Sequence, residues 1–171
     1  MDDPVDTLRA KIAAFDGRAV SILGEIEAAE SDMAGYMDAL ITLAADDGPN
    51  IAAGATWLVK SALERGRRLS AAQVSALAAR LDGIAAWDAQ LHICQSIRHL
   101  EIDAAAADGF VGWLRPLTRH DRPFLRAWSL DALCHVAAVS GAHAQAAQRS
   151  LAVALADSAA SVRARARALS R

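Results

Sequence analysis

Apolar residues of this chain fall into columns when stretches of it are superimposed at a spacing of 35 or 36 residues. Ile22, Leu58 and Ile93 coincide, as do Leu23, Val59, Cys94 and Leu130, and Ile26, Ala62, Ile97 and Leu133. Within each stretch the columns stand at i, i+1 and i+4, which is one stripe of an α-helix. A helix pair cannot bury such a stripe alone. Stacking one pair on the next buries it continuously, so a fixed period implies a linear stack of helical units.

Composition agrees. Hydrophobic residues make up 54% of the 171, yet aromatics only 5%, so alanine and leucine carry the apolar content. Alanine loses no side-chain entropy in a helix, and no stretch shows the β-branched alternation of a strand. The class is all-α, in one domain large enough for a core without metals or disulfides. Turn signals near Asp16-Gly17, Glu30-Ser31-Asp32, Asp47-Gly48-Pro49, Gly66 to Ser70, Asp82-Gly83, Glu101 to Asp103, His120 to Pro123, Ser140-Gly141 and Asp157-Ser158 mark about ten helices. Ser70, Asp103 and Ser158 or Ser161 are expected N-caps, and Gly17, Gly66 and Gly141 expected stops. The single domain, 1–171, divides into an irregular N-terminal capping pair (1–32) and four regular pairs (33–171).

The turns carry a second regularity. Asp47, Asp82, Asp121 and Asp157 each stand just before a second helix, followed by Arg126 in the third case and Val162-Arg163 in the fourth. The stretches Asp157-Ser-Ala-Ala-Ser-Val162-Arg163 and His120-Asp121-Arg-Pro-Phe-Leu125-Arg126 resemble the HEAT-repeat family, whose intra-pair turn has an Asp and then a Val-Arg opening the second helix. The resemblance spans residues 33–171 and, more weakly, 5–31. The spacing is shorter than the ~40 residues of HEAT units and approaches that of tetratricopeptide repeats, but the Trp-Leu-Gly-Tyr pattern of the latter is missing. The resemblance implies a right-handed α-solenoid of about five antiparallel helix pairs, with second helices along the concave surface. It also implies that the Asp and Arg side chains tie adjacent turns into a structural ladder.

Superposition also aligns the residues opposite the apolar stripe. One column is Ser21, Trp57, His92 and Trp128; the next is Gly24, Lys60, Gln95 and Asp131; the third is Ala28, Glu64, His99 and His135. Trp57-Lys60-Glu64, His92-Gln95-His99 and Trp128-Asp131-His135 are thus three stripes at i, i+3, i+7. Side by side they make a patch of aromatic anchors and orienting polar groups, the composition of a binding surface.

Charge is uneven. Residues 1–48 hold eleven acids against Arg9, Lys11 and Arg18, a net of −8 that leaves +6 for the rest. The basic part is mostly arginine, grouped at Arg115, Arg119, Arg122 and Arg126 and at Arg163, Arg165, Arg167 and Arg171. Such ends suit a polar partner or head-to-tail contacts. The run from Arg163 to Arg167 is expected to be the solvated closing cap of the stack.

Sharper chemistries fit poorly. His92 and His99 stand two turns apart, about 10.5 Å along a helix axis, too far to share one ion, so no metal or other cofactor is expected. No serine sits in a Gly-x-Ser-x-Gly turn, and Cys94 and Cys134 read as reduced core residues. Some HEAT-like solenoids are DNA glycosylases that use tryptophans, an Asp and arginines, types found here in Trp57, Trp128, Asp131 and Arg126. A chain with pI ≈ 6.2 and little lysine makes nucleic acid the lesser alternative. The acidic start has no basic segment leading into an apolar run, and nothing is long and apolar enough to span a membrane, so a cytoplasmic protein is expected. Trp87, Phe110 and Trp113 are expected in the core, as are Phe15, Met33, Tyr36 and Met37. The expected function is a non-catalytic protein- or peptide-binding scaffold whose surface is the Trp57 to His135 patch.

Overall fold

The structure, a computed structural model, describes residues 3–171; Met1 and Asp2, which begin the acidic start, lie outside the described residues. The described residues form ten α-helices and no strand: α1 (Pro4–Ile12), α2 (Val20–Glu30), α3 (Tyr36–Leu43), α4 (Pro49–Glu64), α5 (Ala71–Ala78), α6 (Trp87–Ser96), α7 (Ala104–Leu117), α8 (Pro123–Val139), α9 (Ala144–Leu155) and α10 (Ala160–Leu169). Local chemistry sets several boundaries. Ser70 and Gln73 form a reciprocal capping box at the start of α5, and Asp103 accepts from the Ala106 amide at 2.8 Å to open α7. Proline starts α1, α4 and α8, where its missing N–H costs nothing. Gly17 and Gly66 adopt positive φ where stops are expected, whereas Gly141 opens a short 3-10 turn, Gly141–His143.

Even-numbered helices pack in chain order, α2 on α4, α4 on α6, α6 on α8 and α8 on α10, while α1 packs on α3, α3 on α5 and α5 on α7. All the apolar column residues are buried except Ile22, which is partly so. They join one long core from Leu8 to Ala147 and a smaller one around Leu130, Ala154, Val162 and Ala166, with Cys134 packed against both. Phe15, Tyr36, Met37, Phe110 and Trp113 are buried and Met33 is partly buried. Trp87 departs from expectation. It starts α6 with 38% of its surface exposed, and the Arg122 guanidinium lies 4.0 Å from its ring centroid. A charged group over the ring does here what core neighbours were expected to do.

A turn in which a side chain accepts the amide two residues on recurs three times, twice one residue before the expected Asp and once at the expected Asp157. Asp46, not Asp47, accepts the Gly48 amide at 2.8 Å. His120 Nδ1, not Asp121, accepts the Arg122 amide at 3.1 Å. Asp157 accepts the Ala159 amide at 2.8 Å. Asp82 instead lies exposed in the 3-10 turn Leu81–Gly83. A second contact also recurs. Gln90, Arg126 and Arg163 each donate from the side chain to the carbonyl six residues earlier, on Ile84, His120 and Asp157. Two turns are tied to other helices by paired hydrogen bonds, Arg9 to Asp46 and Arg126 to Asp157 at 2.9 and 2.8 Å.

Candidate functional site

The nine residues of the expected patch lie on α4, α6 with the 3-10 turn that follows it, and α8, but they do not behave alike. On α4, Trp57 is partly buried against the core, and Lys60 pairs with Glu64 one turn on, at 2.8 Å. On α6, Gln95 is partly exposed, while His99 lies exposed in the turn Ile97–His99. His135 is partly buried on α8.

His92 faces α4. Its Nδ1 stands 3.1 Å from Thr56 Oγ1, and that hydroxyl spends its one proton on the carbonyls of Ala52 and Ala53, at 2.8 and 3.1 Å. A neutral imidazole that donates from Nδ1 satisfies this contact and leaves Nε2 as an acceptor. Burial lowers the His92 pKa to about 4, so the ring is neutral at physiological pH.

Trp128 and Asp131 form a tighter unit with two residues that the columns missed. Arg98, following α6, donates to Asp131 Oδ2 at 2.8 Å, and Arg165 of α10 donates to Asp131 Oδ1 at 3.2 Å. The same two guanidiniums lie 5.1 and 4.3 Å from the Trp128 ring centroid. Three successive even helices are thus joined through one carboxylate and one indole. Arg165 is accordingly only partly exposed, which corrects its assignment to a solvated cap. One further step of 35 or 36 residues along the column Ser21, Trp57, His92, Trp128 reaches Arg163 or Ala164 and not Arg165, so the superposition carries no signal for it.

Neither cysteine is activated as a nucleophile. Burial raises the thiol pKa of Cys94 and of Cys134, and Asp131 raises that of Cys134 further, so neither is a poised thiolate. Among the described residues no group of three or more His, Cys, Asp or Glu side chains is placed to hold a metal ion, and no helix is long and apolar enough to cross a membrane. The arginine groups also divide. Arg126 is spent on Asp157 and Arg122 on Trp87, while Arg115 and Arg119 line a groove between α7 and α9. Comparison with protein-family models, with curated proteins and with solved structures gives no match that would lend this chain a family or a function.

Proposed function

We propose that the chain is a right-handed α-solenoid of five antiparallel HEAT-like helix pairs that binds a protein segment or peptide along the second helices, without catalysing a reaction. The in-order packing of even helices and the recurrent side-chain contact to the sixth preceding carbonyl support the architecture. The observation that carries the binding reading is the fixed surface around Trp128. Arg98 and Arg165 hold Asp131 and the indole in one arrangement across three helices, so a ligand meets a preorganised face with little left to order. Beside it, Trp57, Gln95, His99 and His135 offer aromatic and polar contacts, and the Lys60–Glu64 pair offers both charges. The free thiols Cys94 and Cys134 suit a reducing compartment such as the cytoplasm.

The glycosylase alternative asks for a carboxylate free to act as a base and an indole free to stack on a base. Here Asp131 is bonded through both oxygens and Trp128 is overlaid by guanidiniums, an arrangement that favours recognition by a mixed surface over hydrolysis.

The four tryptophans supply the test. Peptides selected by display against the whole protein are titrated into 15N-labelled protein, and the four indole N–H signals are followed. Binding on the proposed face moves Trp57 and Trp128 and leaves the buried Trp113 in place. Selected peptides that shift Trp113, or no indole at all, refute the reading.

A further inference from the structure

The odd-numbered helices pack in sequence as far as α7, but α9 rests mainly on α8 and α10. Between α7 and α9 a groove of about 610 Å³ remains, a volume within the range of ligand sites. Its walls are two helical stripes. Gly112, Arg115 and Arg119 stand at i, i+3, i+7 on α7 and just beyond it; Ala146, Arg149 and Val153 do the same on α9. Asp157 also lines the groove, but its carboxylate is taken by Arg126 through two hydrogen bonds.

The three remaining arginines are exposed, and among the described residues none of their guanidiniums has an ion pair or hydrogen bond. Elsewhere Arg9, Arg98, Arg126 and Arg165 all meet carboxylates. Three unpaired cations therefore converge on the gap between α7 and α9. Val153 adds an apolar wall that is 64% exposed. Gly112 keeps the α7 side bare, since a Cβ built there meets no atom within 4 Å, so no contact within the chain accounts for a residue that weakens a helix interior.

We infer that this groove is a second binding site, distinct from the second-helix face, and that it takes an acidic peptide segment of another protein. Planar guanidiniums on both walls match carboxylates through paired N–H donors. Val153 takes an apolar side chain between the acids, and the backbone of the segment passes over Gly112. A nucleic acid strand would need a longer continuous positive track than three arginines beside an apolar wall.

The test is fluorescence anisotropy on the whole protein with three labelled probes: a glutamate-rich peptide with one central leucine, its glutamine counterpart, and single-stranded oligothymidylate. The glutamate peptide binds, the glutamine peptide does not, and oligothymidylate competes poorly. The doubly substituted Arg115→Gln, Arg149→Gln protein weakens binding about tenfold or more, as loss of charge-assisted hydrogen bonds requires. Gly112→Phe, which fills the groove and keeps every charge, does the same, while Arg18→Gln, which removes an exposed arginine in the turn before α2, changes nothing. All four positions are at least partly exposed, and circular dichroism establishes that each variant is folded. Equal binding of the glutamine peptide, equal competition by oligothymidylate, or wild-type affinity in the variants overturns the site. Salt-sensitive self-association lost in the double variant would instead give the groove to the acidic residues of a second copy and overturn the assignment to another protein.

Discussion

Arg165 lies with its guanidinium 4.3 Å from the ring centroid of Trp128, on the preceding even helix, while donating to Asp131 one turn further along that helix. One side chain thus makes both a cation–π and a charge-assisted contact across the α8–α10 junction. The apolar cluster at this junction is small, alanines among its members. Arg165→Gln is expected to destabilise the protein by about 1 kcal/mol, the exposure of the arginine reducing the value from that of a buried pair. A double-mutant cycle with Trp128→Leu in urea unfolding checks it, and additive effects would show that the ring and the guanidinium are not coupled.

Asp157 does two jobs that substitution can separate. Its carboxylate holds Arg126 and also accepts the Ala159 amide. Asp157→Asn keeps an acceptor for the amide and loses the ion pair; Asp157→Ala loses both. The alanine variant is expected to be less stable than the asparagine variant by about 0.5–1 kcal/mol, the worth of a turn cap. The Arg126 hydrogen bonds hold the Asp157 pKa below its ordinary value. Its contribution is therefore present above the ordinary aspartate range and fades as pH falls through the lowered folded value. Chemical denaturation of both variants at neutral and acidic pH tests the ranking.

These two clusters show what a single sequence discloses here. The apolar columns were legible because burial repeats every 35 or 36 residues, and Leu23, Val59, Cys94 and Leu130 are all buried. Partners across the stack do not keep that register. Arg98 and Arg165 stand 33 and 34 residues from Asp131, because a long side chain reaches diagonally to the adjoining turn of its neighbour and not straight across. Superposition therefore placed Trp128 and Asp131 in the patch but not the arginines that hold them. Two of the turns are shifted by one residue from the expected Asp for a related reason, while Asp157 stands where it was expected. Adjacent Asp46-Asp47 and His120-Asp121 offer two acceptors each, and only backbone geometry decides which of them reaches the amide.

His92 predicts a pH dependence of known sign. Its pKa is lowered from 6.5 to about 4, chiefly by burial, so between those values the unfolded chain binds the proton and the folded one does not. Stability then rises with pH across that window. It is complete above about pH 6.5, is lost as pH falls toward 4, and changes no further below that through this residue. A shift of this size corresponds to roughly 3 kcal/mol. Urea unfolding at pH 7.5 and pH 4.5 should differ by most of that amount, and His92→Gln should remove much of the difference. A variant with the wild-type pH slope would place the acid sensitivity on other groups.

Two helix glycines should respond oppositely to the same substitution. At Gly54 of α4 an added Cβ would stand 2.6 Å from Ile12 Cγ2 and 3.2 Å from Leu23 Cδ2. These are buried side chains of α1 and α2 with little room to retreat. Gly54→Ala is expected to cost about 1–3 kcal/mol by overpacking, in spite of the better helix propensity of alanine. At Gly109 of α7 an added Cβ meets nothing within 4 Å, so only the backbone effect remains, and Gly109→Ala should stabilise by about 0.5–1 kcal/mol. Thermal unfolding followed by circular dichroism measures both. A neutral Gly54→Ala would mean that α1 is free to move away from α4, and that α1 and α2 are not locked onto α4 at this point.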